Sequence, residues 1–168
     1  WHIYVGDHCR EDYGDIRFTN STGAELAYYL WPDYSNESAR FAVRLEGADA
    51  AGVTQIHYGN PTATTTSDGD AVFLFFDHFD GDSINWDKWQ YHTTGITATI
   101  TSPSVVRITN ANPGGALGIR SKSTFPLADI IAEWNVARYE GNGGYVGFVS
   151  SPSSIGFTSG RGSTGQSE

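Results

Sequence analysis

Apolar and polar residues alternate in several short segments of this chain. The clearest is residues 38–46, where every second side chain is apolar and most of those between are charged: Ala39, Phe41, Val43 and Leu45 against Arg40, Arg44 and Glu46. Such alternation is typical of a strand with one buried face in an antiparallel sheet. Weaker versions of the pattern predict strands at residues 15–19, 96–101 and 105–109, and short strands are also predicted at residues 1–5 and 53–58.

A solid apolar run breaks the alternation at residues 72–76, and a polar loop rich in Asp, Asn and Trp follows it at residues 77–88. The run predicts a strand buried between two layers. Further strands are predicted at residues 25–31, 116–120 and 145–149. The apolar segment 128–137 favours a strand, with a helix as the alternative. Ser, Gly and Thr dominate after residue 150, which predicts a frayed end over the last ten residues.

Turn signals separate these short strands at regular spacing. The pattern predicts an all-β fold built as an antiparallel β-sandwich. A polar, Thr-rich stretch at residues 62–70 is the best boundary between two parts. We therefore expect one β-module in residues 1–70 and a second in residues 71–168.

Composition narrows the range of partners. The formal net charge is -9 and the pI is near 4.8. Nucleic acids and anionic membrane surfaces are bound through basic patches, so neither is an expected partner. No apolar run approaches the roughly 18 residues of a membrane span, so no membrane insertion is expected in this segment. A single cysteine, Cys9, rules out an internal disulfide.

Two polar motifs point to a known family. They are CREDYGDIRFT at residues 9–19 and YGNP at residues 58–61. With them, the first 72 residues resemble domain of unknown function 2341, which is found in archaeal and bacterial surface proteins. His57 stands where that family has the first Tyr of a "YYGNP" turn. The resemblance implies a location outside the cell or on its surface.

The second half is similar to the start of a concanavalin A-like lectin/glucanase (laminin-G-like) jelly roll. The similarity rests on FDHFDGD at residues 76–82, WDKW at 86–89 and EWNV at 133–136. It implies a partial jelly-roll-like sandwich after the first β-module. Both halves look incomplete and Met is absent, so we expect a piece of a longer protein. An incomplete sandwich leaves open sheet edges, through which self-association or pairing with a neighbouring chain is expected.

Catalysis by this chain is not expected. A retaining glucanase needs two carboxylates about 5 Å apart. The resembled glucanases supply them from a Glu-x-Asp-x-x-Glu strand, and that pattern is missing here. Glu133 and Glu140 are seven positions apart and lack the intervening Asp.

Metal sites are candidates only in loops. Asp77, Asp80 and Asp82, with Asp87 nearby, offer the hard oxygen ligands that calcium prefers. The favoured interpretation is a turn in which these side chains bond to their own backbone. A zinc site would draw on His2, His8, Cys9, His57 and His78, but their spacing is not diagnostic. A small buried thiol and polar loop histidines are the preferred interpretation there.

Aromatic residues are the remaining lead to a ligand. They cluster around Tyr29 and Trp31, and again around Trp86 and Trp89, with Tyr91 close to the second pair. Exposed rings can stack on the apolar faces of sugars, while their polar tips donate hydrogen bonds. The competing interpretation is that these rings belong to the core, where Trp is usually buried. Trp31 and Trp86 are the candidates for an exposed platform.

Two sequons, at Asn20 and Asn36, lie in predicted turns and are candidate glycosylation sites.

Together the features of the sequence favour a non-catalytic binding or adhesion module of an extracellular protein that recognises a glycan or a neighbouring surface protein. The alternative is a structural subunit or spacer of a surface assembly, with its sheets completed by a neighbouring chain. A fragment of a glycan-cleaving enzyme is the third hypothesis.

Overall fold

The computed structural model describes residues 4–5, 8–47, 52–91, 95–101, 104–110, 117–125, 131–133, 145–151 and 154–161. In these residues the chain forms ten strands and one short helix, and every strand pairing is antiparallel. The all-β prediction is therefore confirmed. The elements in chain order are β1 (Arg17–Thr19), β2 (Tyr28–Leu30), β3 (Phe41–Val43), β4 (Gln55–His57), α1 (Gly69–Val72), β5 (Trp89–Tyr91), β6 (Ile96–Thr101), β7 (Val105–Asn110), β8 (Leu117–Ser121), β9 (Tyr145–Ser151) and β10 (Ser154–Arg161).

The chain divides into two compact units, Trp1–Asp77 and His78–Glu168. They are called unit 1 and unit 2 below. Predictions that fall on residues 1–3, 111–115, 128–130, 134–137 and 141–144 lie outside the described residues.

Unit 1 is built from two antiparallel pairs of strands. β1 pairs with β4, with Phe18 opposite Ile56, and β2 pairs with β3, with Tyr29 opposite Ala42. A bridge between Thr19 and Glu25 links β1 to the segment that leads into β2. Within the described part of unit 1, each sheet has two strands.

Aromatic rings from different strands meet in the core of unit 1. The Phe18 ring centroid lies 5.5 Å from that of Tyr28 and 5.4 Å from that of Phe41. Tyr28 is 1% exposed and Phe18 6%. Tyr13, Ile16 and Leu26 complete the buried cluster. Ile16 and Phe18 thus share the buried face, as the alternation at residues 15–19 predicts.

The strand predicted at residues 38–46 is shorter in the structure. The Arg44 N–H donates to the Ala27 carbonyl at 2.9 Å, and the ladder ends there. Leu26, which would be the next partner, instead donates its N–H to the Phe18 carbonyl. Leu45 is consequently 43% exposed, so its predicted place on the buried face is wrong.

The Thr-rich stretch after β4 is hydrogen-bonded along β2. The Asp68 N–H donates to the Tyr28 carbonyl at 2.9 Å, and the Leu30 N–H donates to Ser67 Oγ at 2.8 Å. The Tyr28 hydroxyl accepts from the Thr66 N–H at 3.1 Å. Residues 66–68 therefore lie along the outer edge of β2 and form part of unit 1.

The predicted buried strand at residues 72–76 is wrong. Asp68 caps α1, because its Oδ1 accepts from the N–H groups of Asp70 and Ala71, and the helix ends at Val72. The chain bends at residues 73–75, and Leu74 is 78% exposed. The sequence signal for the helix was Asp68 followed by an acidic first turn, which the apolar run obscured.

Replacing Gly69 with Ala is expected to destabilise unit 1 by about 1–3 kcal/mol, the usual cost of overpacking. A Cβ at Gly69 would overlap the Phe76 ring, which packs on Tyr29 at a centroid distance of 4.7 Å. Equilibrium denaturation of the full chain measures the loss. Gly81→Ala is the matched control, because the nearest atom to its added Cβ would be the Ser83 carbonyl oxygen at 3.7 Å. Equal stability of the two variants would contradict the prediction.

The described residues of unit 2 form a four-stranded sheet of order β5-β8-β10-β9 and a β6–β7 pair. Ile96 and Ala98 are buried while Thr97 and Thr99 are exposed, which confirms the alternation predicted for β6. The frayed end predicted for the last ten residues is wrong as far as Arg161, because β10 pairs with β8 up to that residue and with β9 up to Gly160. Its Ser- and Gly-rich composition hid a strand that long-range pairing stabilises.

Candidate functional site

Trp86 and Tyr91 form an exposed aromatic pair in unit 2. Their ring centroids lie 4.5 Å apart and the ring planes are tilted by 41°. Trp86 is 37% exposed and Tyr91 42%. Two amphipathic rings held together at the surface match what stacking on an apolar ligand face requires. The sequence placed Tyr91 in the same cluster, and only the structure brings its ring onto Trp86.

A turn and a short strand hold the pair in place. The Asn85 side chain accepts from the Asp87 N–H at 3.0 Å, and the Asn85 carbonyl accepts from the N–H groups of Lys88 and Trp89. This turn carries Trp86 and leads directly into β5, whose last residue is Tyr91. Short polar side chains that bond to the backbone two residues on are typical of such turns.

Trp89, which follows the turn, is buried in unit 2. It is 8% exposed, and its ring centroid lies 5.3 Å from that of Phe79. β5 is fixed to β8 with Trp89 opposite Ser121, and the Lys122 N–H donates to the Lys88 carbonyl at 2.8 Å. Trp89, a predicted ligand-binding residue, therefore lies in the core of unit 2, between Trp86 and Tyr91 in the chain.

The other predicted platform, in unit 1, is largely covered. Tyr29 is 8% exposed, and its ring contacts those of Trp31, Phe73 and Phe76. The guanidinium carbon of Arg40 lies 4.2 Å from the centroid of the half-buried Trp31 ring. This cation–π contact occupies one face of Trp31, so less of that ring is left for a ligand than at Trp86.

Candidate metal ligands are not gathered into a site in the described part of the chain. No group of three or more His, Cys, Asp or Glu residues there is arranged to hold a metal ion, and the residues searched include Asp77, Asp80 and Asp82. His57 Nε2 lies 2.9 Å from Thr19 Oγ1. His2 and Glu140 lie outside the described residues, and Glu133 is exposed.

The two predicted glycosylation residues have different surroundings. Asn20 Oδ1 accepts from the Thr22 N–H, the Thr22 hydroxyl and the Ala24 N–H at 3.0, 2.7 and 2.9 Å. Asn36 is exposed, and the turn around it is held by Ser35, whose hydroxyl accepts from Glu37 and Ser38. Modification of either residue stays a prediction.

The motif residues of unit 1 form a polar network around the buried side chain of Asp15. Asp15, only 3% exposed, accepts from the Arg10 N–H at 3.0 Å and from the Gly59 N–H at 2.6 Å. The Arg10 guanidinium donates to the Pro61 carbonyl at 2.6 Å. The network thereby ties the CREDYGD loop to the YGNP turn, where Gly59 has a φ of +94° that favours glycine.

Asp12 completes this network at the surface. Its two carboxylate oxygens accept from Nε and Nη2 of Arg10, each at 2.8 Å, and Oδ1 also accepts from the Gly14 N–H. Chiefly the Arg10 hydrogen bonds, and then that of Gly14, hold the pKa of Asp12 well below its usual range. The motif therefore positions backbone loops, and the carboxylates of Asp12 and Asp15 are occupied by that task.

A protein-family model matches the part of the chain that contains most of these motif residues. Residues 12–92 match the family model Domain of unknown function (DUF2341). This match confirms the first of the two resemblances and covers a little under half of the chain. It includes Asp12, Asp15, the YGNP turn, α1 and all of β5, so the matched region contains the polar network apart from Arg10, together with the exposed aromatic pair.

No curated protein matches the chain, and no solved structure does so. The resemblance of the second half to a concanavalin A-like jelly roll thus stays a proposal. Among the described residues, no helix has the length and apolar character needed to cross a bilayer.

Proposed function

We propose that this chain is an extracellular, non-catalytic binding module of a cell-surface protein, and that it recognises a glycan through Trp86 and Tyr91. The observation that carries the proposal is the exposure of two contacting aromatic rings, at 37% and 42%, on the turn and strand that flank buried Trp89. Scattered exposed aromatics are common, but a supported pair is less so.

The chemistry of the two rings suits a sugar. Each combines an apolar face with a polar tip, the indole N–H of Trp86 and the phenol hydroxyl of Tyr91, so stacking and hydrogen bonding can act together. The ends of the pair are fixed by the Asn85 turn and by β5. A fixed platform loses little side-chain entropy on binding.

Charge favours a neutral ligand. The chain carries a net charge of -9, and Asp80, Asp82 and Asp87 in the loop before β5 are exposed. An acidic surface repels uronic acids and sulfated sugars. The proposed ligand is therefore a neutral glycan. The surface location rests on the resemblance to surface proteins, and an exposed Asn36 is compatible with it.

Replacing Trp86 with Ala is expected to weaken glycan binding by about 1–2 kcal/mol, or roughly tenfold in Kd, because a stacking surface is lost. Tyr91→Ala should weaken it in the same direction. Calorimetric titration of the full chain against a panel of neutral polysaccharides measures both effects. Trp86→Phe, which keeps an aromatic face, should retain most of the affinity.

Tyr58→Ala is the control for these titrations. Tyr58 is 45% exposed, much like Tyr91, but it lies in the YGNP turn of unit 1. Its loss should leave glycan binding unchanged. If the folded wild-type chain releases no heat with any glycan, the proposal fails. The structural-subunit hypothesis would then be preferred, since the described sheets of unit 1 have only two strands each and two-stranded sheets are marginal by themselves.

A further inference from the structure

The chain contains two Asp-Gly pairs, Asp68–Gly69 and Asp80–Gly81, in contrasting surroundings. Glycine has no Cβ to shield its backbone nitrogen, and it allows backbone conformations that other residues resist. An aspartate side chain can therefore approach the nitrogen of a following glycine. Whether it reacts there depends on how firmly the local structure holds both residues.

Hydrogen bonds restrain both residues of the Asp68–Gly69 pair, and Gly69 is also closely packed. Asp68 Oδ1 accepts from the N–H groups of Asp70 and Ala71, and the Asp68 N–H donates to the Tyr28 carbonyl at 2.9 Å. Gly69 is buried beneath the Phe76 ring, and its carbonyl accepts from the Phe73 N–H at 2.9 Å. Rotation of the Asp68 carboxyl towards Gly69 would break the helix cap.

Asp80–Gly81 is free of such restraints. Both residues are exposed and lie in the irregular loop between Asp77 and Lys88. Neither takes part in a hydrogen bond with the described part of the chain. A Cβ built on Gly81 would have the Ser83 carbonyl oxygen, 3.7 Å away, as its nearest neighbour, so no group packs closely against Gly81 on that side. Mobility is typical of exposed loops.

We propose that Asp80–Gly81 is a site of spontaneous isoaspartate formation in the folded protein, and that Asp68–Gly69 is protected. The Gly81 nitrogen attacks the side-chain carbonyl carbon of Asp80. An N–C bond forms, and the hydroxyl of the protonated carboxyl group leaves with the amide proton as one molecule of water. One water then opens the cyclic imide. Opening at the backbone carbonyl leaves the chain running through the Asp80 side chain, with no net change in composition.

The rearrangement also affects the candidate site at Trp86 and Tyr91. It adds one carbon to the backbone next to Phe79, whose ring packs on Trp89 at 5.3 Å. Phe79 has a φ of +54°, a conformation that depends on its neighbours being correctly placed. Isomerisation at Asp80 therefore loosens the packing of Phe79 on Trp89, which lies between Trp86 and Tyr91 in the chain.

The test is to incubate the folded full-length chain at neutral pH and body temperature for several weeks. Proteolytic peptides are then analysed by electron-based fragmentation mass spectrometry, which separates aspartyl from isoaspartyl linkages. A parallel sample is incubated in concentrated urea. In the folded sample, isoaspartate should accumulate at residue 80 at several times the rate at residue 68. In urea the two rates should become similar, because the structure that distinguishes them is lost.

Gly81→Ala is the matched variant, since an added Cβ has room and shields the nitrogen. It should slow the reaction at residue 80 several-fold without changing stability. Equal rates at the two positions in the folded chain would overturn the proposal. So would reaction at residue 80 in urea but not in the native sample. None of these outcomes depends on whether the chain binds a glycan.

Discussion

Replacing Phe18 with Ala is expected to lower the free energy of unfolding by about 3–5 kcal/mol, as for other large-to-small changes of a buried aromatic. Phe18 is 6% exposed, and its ring packs on both Tyr28 and Phe41. It is the point where β1 meets β2 and β3. Truncation leaves a cavity at the centre of a unit whose described sheets are only two strands wide, so neighbouring strands can supply little compensation.

Urea denaturation of the full chain measures this loss. Two units need not unfold together, so calorimetry should establish first whether one or two transitions are present. Val53→Ala is the control, because Val53 is 66% exposed and surface changes usually stay within about 0.5 kcal/mol. A loss for Phe18→Ala no larger than that of the control would mean that the core of unit 1 is not packed as described.

Replacing Asp15 with Ala is expected to cost about 2–4 kcal/mol, because two part-buried backbone N–H groups lose their charged acceptor. These are the N–H groups of Arg10 and Gly59, which donate to Asp15 at 3.0 and 2.6 Å. Asp15→Asn preserves the shape but presents an amide NH₂ in place of one oxygen. It should therefore lose a large part of the same stability, because only one N–H keeps an acceptor.

Hydrogen exchange gives a local readout of this prediction. The Gly59 amide should exchange much faster in Asp15→Ala, and the YGNP turn should loosen with it. Asp12→Ala is the matched control, because that carboxylate is exposed and its loss leaves Asp15 and Gly59 in contact. A Gly59 amide that stays protected in Asp15→Ala would show that another group holds the turn.

Local sequence patterns were enough to predict much of the fold. The alternation at residues 96–101 and 105–109 predicted β6 and β7, which pair directly with one another. The loop at residues 77–88 was also predicted correctly, since its Asp, Asn and Gly residues favour turns over ladders. Both predictions depend on residues close together in the chain, where side-chain period and turn chemistry are the dominant forces.

Two predictions from the sequence failed because other parts of the chain compete with the local pattern. The apolar run at residues 72–76 is typical of a buried strand, yet Asp68 starts a helix ahead of it. The Phe73 and Phe76 rings then bury themselves against Tyr29. β10 is the reverse case, because its polar, glycine-rich composition predicts a loose end while β8 and β9 hold it as a strand. Tertiary packing overrides local preference in both.

For the candidate site, too, the sequence determined one part and the tertiary structure decided the other. The sequence alone determined the all-β class, the acidic character, the DUF2341 resemblance and the presence of two aromatic clusters. Only the tertiary structure decided which rings remain exposed, because burial depends on what packs against each ring from elsewhere in the chain. Phe79 buries Trp89 and Arg40 covers a face of Trp31, while Trp86 and Tyr91 lie together at the surface.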